Sequence, residues 1–585
     1  MTNDTFSFQA YNHSWPQEFH DPLRKFHVEE EHIKGKQIHF NGIAEWEDFN
    51  SSDLDFYQER LFEKGILSPN DQHPLSEQLA TDDMQFDVVS VTIPSFQELM
   101  KLQTGLYCNS NTEFTEIIET KKEKPNPISL TSLDILNSFQ TGSRISNGEN
   151  LFELKKEASC PATSSRGSSA VEIMRVAGAR YIQFAVTKDD DLSMLRYPFG
   201  SMLSGLVNDE TKGIELAHLL LASAEKIGKQ QYDRASRLLM QCEYLSSHIG
   251  DPVQRVICYF AEALQERIDR ETGWMLSKGR QTEDFKEASM APHPALLACH
   301  QQVPLPQVVQ FTSIQAIIDN VASAKRVHLI DLSIKIGLQC TILMQALSER
   351  SSCPVELLKI TAVGTSKDRI AETGKRLTSF AETLNLPFEF KTVVISDMKD
   401  LKVDLFEVAA DEVVAVYAPS VLWTMINWPD CLETLMRVVR GLNPCIMSVI
   451  EIEVNCNSTS FFTRFIEALF YFSAWFDCLD AFMDRNDCNR MWIEGSFLYH
   501  GIRSIVSTEG SERIVRHVGI DVWRSFFGRF GFQEAELSEM SLYQAGLLVK
   551  QFGCGSSCNL DMNGKVLIVG WKGTPLQCVS AWKLG

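Results

Sequence analysis

Residues 326–340 read RVHLIDLSIKIGLQC: an apolar run ending in an aspartate, a short loop and one glycine. Nucleotide and methyl-donor enzymes begin a binding site this way. A carboxylate at the carboxyl end of a strand holds the ligand, and a glycine-rich loop lets the backbone approach it. Asp331 is the carboxylate and Gly337 the single glycine, while Ile334 and Ile336 put bulk where a cradle needs bare backbone. That crowding favours a structural reading, in which Asp331 anchors the following helix and Gly337 permits a tight turn. Glu451 and Glu453 share one face of the strand in VIEIE and could do acid/base work, but the favoured reading is a structural place at a strand end. His517, in RIVRHVG, has no acid or nucleophile beside it in sequence. Neither a G-x-S-x-G elbow nor a P-loop is present. The 15 cysteines include no C-x-x-C; the nearest pair, Cys554 and Cys558, has no matching second pair, so no metal site is expected. Arg513, Arg516 and Arg524 fall within about 80° on a helical wheel, with His517 close by, and could hold nucleic-acid phosphates from one face. Glu509 and Glu512 offer them acidic partners instead.

The elements that must position these residues alternate between strand and helix. RVHLIDL, VELLKITAVG, FEFKTVVI, DEVVAVYA and CIMSVIEIE are nearly continuous apolar runs, as strands buried on both faces must be. Helical periodicity lies between them, including TSIQAIIDNVAS and DCLETLMRVVRGL. The alternation predicts a doubly wound parallel sheet. AGLLVKQF, GKVLIVGWK and CVSAWK read as strands without long helices between them, so the sheet is expected to finish antiparallel. Ahead of the sheet, residues 214–270 form a helical series. Ile214, Ala217, Leu221 and Ala224 lie on one face, followed by Ala235, Leu238, Cys242 and Leu245, then Val253, Val256, Phe260, Leu264 and Ile268. Asp251 and Pro252 mark the start of the third helix. A stripe of this series (Leu221, Leu238, Leu245, Phe260 and Leu264) is the candidate face for a second copy or a partner.

Composition sets the remaining bounds. The chain has 585 residues, 44% of them hydrophobic, and a net charge of -21. Such an acidic chain is no wholesale nucleic-acid coat, and any DNA contact must come from a local basic patch. Residues 1–168 are rich in acidic and small polar residues and are expected to be largely disordered, with short amphipathic segments such as DLDFYQERLFEKGIL, PSFQELMKLQ and SLTSLDILNSF. Residues 169–209 form a helical lead-in, opened by a Ser169–Glu172 capping box. The amino-terminal residues lack the pattern of a signal peptide, no run reaches the length of a membrane span, and the scattered cysteines suit a reducing compartment. KKEK at 121–124 is too short to read as a nuclear import signal.

Taken in order, these segments resemble the plant GRAS family of transcriptional regulators over residues 210–585. Val327, His328, Leu329, Ile330 and Asp331 look like its VHIID signature, followed by Gly337 and Gln339 within the 313–350 region. The 214–270 series looks like its first leucine-rich region, and 432–480 like its second, running into the PFYRE region. Residues 501–585 look like the end of PFYRE and the SAW region, closing on Ser580, Ala581 and Trp582. The resemblance implies a Rossmann-like, methyltransferase-like sheet with an α-helical cap, no cofactor and no catalytic residues. It implies nuclear regulation of transcription with other GRAS proteins and transcription factors as partners, homo- or heterodimers, and in some members direct DNA contact. The alternative is a methyltransferase-like enzyme that uses S-adenosyl methionine. The chain departs from the family pattern at Cys340, where tryptophan is usual, at Tyr417, where asparagine is usual, and at GIRSI (501–505) in place of G-R-E-I. The D-E-L-L-A and T-V-H-Y-N-P motifs of the gibberellin-responsive branch do not occur in it.

Overall fold

The structure, a computed structural model, describes Ser138 and residues 169–186, 208–274 and 294–585. Ser138 aside, the acidic region 1–168 and its amphipathic segments lie outside the described residues. Helix α1 (Ala170–Val186) opens on the expected capping box: the Ser169 amide donates to Glu172 at 2.8 Å, and the Glu172 amide donates to the Ser169 hydroxyl. Helices α2 (Asn208–Gly228), α3 (Tyr232–Leu245) and α4 (Pro252–Glu271) complete the first part of a helical cap. α4 begins with a reciprocal box between Asp251 and Gln254, with proline in its first turn. Its face Val253, Val256, Phe260, Leu264 and Ile268 is buried, as its spacing predicts. In α3 the buried stripe is Ala235, Leu239 and Cys242; Leu238 is half-buried and Leu245 is exposed, so that face is rotated from the one read in sequence.

Helices α5 (Pro294–Gln302) and α6 (Pro304–Asn320) lead into the sheet. Strands β1 (Arg326–Asp331), β2 (Leu357–Gly364), β3 (Phe388–Val394), β4 (Val413–Pro419) and β5 (Ile446–Ile452) are parallel, in the order β3-β2-β1-β4-β5. Between them run α7 (Leu338–Ser348), α8 (Lys367–Thr383) and α9 (Pro429–Gly441). The strands feed two separate cores because neighbouring side chains take opposite faces. Leu329 joins the core shared with the cap, and Ile330 joins the one on the other side of the sheet.

After β5 comes α10 (Phe461–Phe482), with 18 of its 22 residues buried. Its charged residues Arg464, Glu467 and Asp477 are buried too, and no helix among the described residues is long and apolar enough to cross a membrane. Then follow α11 (Cys488–Trp492), a π-helical turn (Ile493–Leu498), α12 (Tyr499–Ser507), α13 (Ile520–Gly528), β6 (Phe532–Ala535) and α14 (Glu539–Gln551). β7 (Cys558–Asn563), β8 (Val566–Trp571) and β9 (Thr574–Leu584) close the sheet. β9 lies antiparallel between β5 and β8, and β6 pairs with the far end of β9. The sheet does finish antiparallel, and the architecture is the methyltransferase-like α/β fold with a helical cap. One expected strand is corrected: AGLLVKQF lies in α14. Ser538 accepts a hydrogen bond from the Ser541 amide and starts a helix there, and a short apolar run does not by itself separate strand from helix.

Candidate functional site

The order of the parallel strands reverses between β1 and β4, and Asp331 stands at the carboxyl end of β1, where ligands bind in this fold. Its carboxylate is fully buried and turned inward. Oδ1 accepts from the Ser333 amide at 2.9 Å, and Oδ2 accepts from the Gln339 side chain at 2.7 Å. Burial pushes this carboxyl up to about 6, against the pull of those two donors. The bonds tie β1 to its loop and to the first turn of α7. Gly337 holds φ at 76°, and a β-carbon there would come within 2.9 Å of the Thr373 side chain, so the loop is closed by packing against α8. Ile334 packs on the core beside it. Tyr417, the register partner of Asp331 on β4, and Cys340, on the first turn of α7, are both fully buried next to the carboxylate. Two of the three departures from the family pattern therefore meet at one place.

The other signature residues have equally local tasks. Val327 and Leu329 fill the cap-side core and Ile330 the opposite one. His328 is buried, with Nε2 2.8 Å from the Thr361 hydroxyl and Nδ1 3.0 Å from Glu412, which also pairs with Lys359 at 3.2 Å. Burial, then the nearby Lys359, holds the imidazole below its ordinary value. In the last strand, Trp582 Nε1 donates to the Ser580 hydroxyl at 2.9 Å, its ring packs on Phe527 at 4.8 Å, and Ala581 pairs in register with Ser448. Glu451 is buried at the end of β5 and Glu453, one residue beyond it, is half-buried; Glu451 accepts from the Leu422 amide and Glu453 from the Ile520 amide. Burial pushes them up to about 8 and about 7. Each pins a connecting segment to the sheet.

The arginine face is corrected. Gly510–Glu512 is a short 3-10 turn, α13 begins only at Ile520, and the residues between are not helical. Their backbone is claimed by other partners: Asn427 donates to the Arg513 carbonyl, the Val515 amide donates to the Ser504 hydroxyl, and the Cys456 amide donates to the His517 carbonyl. Arg513 and His517 are buried. Arg513 donates to the Cys456 carbonyl, Arg516 to Asn457 and Gly510, and Arg524 pairs with Glu534 and Asp521. No single surface presents all four residues.

The proposed partner stripe divides in the same way. Leu221, Phe260 and Leu264 are core residues. Leu245 is exposed, and with it stand three residues that sequence reasoning passed over: Met240 at 66%, Tyr244 at 89% and Ile249 at 62% exposure. The signal that could have found them is that Met240 and Tyr244 recur one turn apart on the side of α3 opposite Ala235, Leu239 and Cys242.

Fold and motifs together define a capped α/β scaffold, and comparison with known proteins gives its family. The GRAS domain family matches residues 216–583. The chain is 33% identical to the DELLA protein GAIP-B of Cucurbita maxima over 388 residues, 65% of this chain and 63% of that protein. It is 30% identical to the DELLA protein RGL1 of Arabidopsis thaliana, over 68% of this chain and 76% of that one. The crystal structure of SCL7 from Oryza sativa superposes with a TM-score of 0.55 at 26% identity, covering 63% of this chain and 99% of that one. The chain belongs to the GRAS domain family, a family of plant transcriptional regulators. The match spans just under two thirds of the GAIP-B protein.

Proposed function

We infer that this protein regulates transcription in the nucleus through contacts with other GRAS proteins and transcription factors, as a homo- or heterodimer, and not through chemistry at the sheet. One observation carries the reading: Asp331, the group a methyl donor would need, is fully buried and bonded to its own loop and helix. The methyltransferase alternative loses its motivation there. The exposed apolar residues of α3 and the turn after it supply contact area of a kind that partners cover. Recruitment to DNA runs through those partners, since Arg513, Arg516 and Arg524 are engaged internally. The acidic region 1–168 acts as a further recruiting segment ahead of the 210–585 domain. Light scattering after size exclusion and calorimetry with S-adenosyl methionine test the reading. Expected are self-association at micromolar concentration, weakened by Tyr244→Lys with Ile249→Lys at unchanged melting temperature, and no heat from the methyl donor. A saturable heat with S-adenosyl methionine would sink it; a monomer throughout would remove homodimerisation.

A further inference from the structure

Three side chains on the cap meet without any sequence motif to announce them. His248 lies in the turn between α3 and α4, and Cys258 and Glu262 sit one helical turn apart on α4. His248 Nε2 is 2.8 Å from Glu262 Oε1 and 3.4 Å from Cys258 Sγ, and the three donor atoms lie within 4.8 Å of one another. Imidazole, thiolate and carboxylate together are a donor set that favours zinc over the hard cations. A tetrahedral zinc ion holds such atoms about 3.3–3.7 Å apart. The sulfur–nitrogen separation already fits. The nitrogen–oxygen separation opens by about 0.5 Å when rotation of the flexible Glu262 side chain replaces the hydrogen bond with a metal bond.

The geometry points to a zinc site formed by His248 Nε2, Cys258 Sγ and Glu262 Oε1, with its fourth position open. His248 and Glu262 are 20% and 32% exposed, so an ion can enter from solvent and a water or a partner's side chain can complete the coordination. Loading releases the Cys258 thiol proton and any proton on the imidazole to solvent, so it is favoured by rising pH. The surroundings are those of a built site. The His248 ring packs on Tyr259 at 4.4 Å, and the Tyr499 hydroxyl bonds Glu262 as an outer partner that orients the ligand. Tyr499 directly follows the π-helical turn, and such turns often mark functional positions. Glu243 adds negative charge close to Glu262. The ion would fasten to α4 the turn that carries Ile249, and so steady the exposed apolar residues beside it.

The test uses the purified full chain. After dialysis against metal-free buffer and zinc titration, elemental analysis is expected to find about one zinc ion per chain. Cobalt substituted for zinc is expected to give a thiolate charge-transfer band. Cys258→Ser and His248→Asn should each weaken metal affinity by at least about tenfold, whereas Cys488→Ser, at an exposed cysteine on α11, should leave it unchanged. Peptide-resolved alkylation of the unmutated chain is the check that requires no variant to fold: zinc should slow labelling of Cys258 more than that of Cys488. A wild-type chain that gives no cobalt–thiolate band, or a band that survives Cys258→Ser in a folded variant, overturns the site.

Discussion

At Asp331 two unusual residues offset one another. Cys340 removes volume where the family carries tryptophan, and Tyr417 adds it where the family carries asparagine; both are buried beside the same carboxylate. Tyr417→Asn alone deletes a buried ring and should cost about 3–5 kcal/mol. Cys340→Trp alone overpacks α7 against the sheet and should cost about 1–3 kcal/mol or more. The double variant should be less destabilised than the sum, with a coupling of about 1–3 kcal/mol, measured from denaturant midpoints. Strict additivity would show that the two sites do not share space. The sequence already marked Asp331 as an anchor, because the crowding by Ile334 and Ile336 is local. That Cys340 and Tyr417 meet was not legible, since β1 and β4 are neighbours only after the sheet reverses its order.

The helices differ in how much of them can be read locally. α4 carries its own start signal, so Asp251→Ala should remove the cap to the Gln254 amide and lower stability by about 1 kcal/mol, read as a small fall in melting temperature with unchanged far-ultraviolet circular dichroism. No loss would mean that packing alone defines that helix end. The stretch from Arg513 to Val518 is the opposite case. Its pattern suits a helix wheel, yet hydrogen bonds from Asn427, Cys456 and to Ser504 hold it open. The cluster on α4 was equally hidden. A search for paired cysteines passes over a histidine ten residues ahead of a cysteine, with a glutamate four residues beyond, because only the turn between α3 and α4 swings His248 back over the helix.

For the whole molecule, buried titratable groups define a pH window. Glu451 and Glu453 have folded values of about 8 and about 7, above the ordinary carboxyl value. Folding therefore takes up protons at these sites, and stability is lost as pH rises from about 4.5 through those values. His517 runs the other way: burial lowers it to about 3, so stability falls as pH drops below the ordinary imidazole value of about 6.5. Melting temperature should therefore be lower at pH 9 than near pH 6.5. Glu451→Gln, which keeps an acceptor for the Leu422 amide, should flatten that alkaline limb while leaving the acid limb in place. A wild-type melting temperature that climbs from pH 7 to 9 would refute the assignment.

What the residues determine by themselves is whatever depends on near neighbours. Apolar runs alternating with helical periods imply the wound sheet, the capping residues imply helix starts, and ordered motifs from VHLID to SAW mark the family. Tertiary structure alone decided which apolar residues stay outside, why four basic residues share no surface, and how a turn joins a histidine to a cysteine and a glutamate. Periodicity and caps are written within a few residues, whereas burial and side-chain meeting points depend on the path of a turn, as at His248, or on chain segments tens to hundreds of residues apart, brought together only when the chain folds.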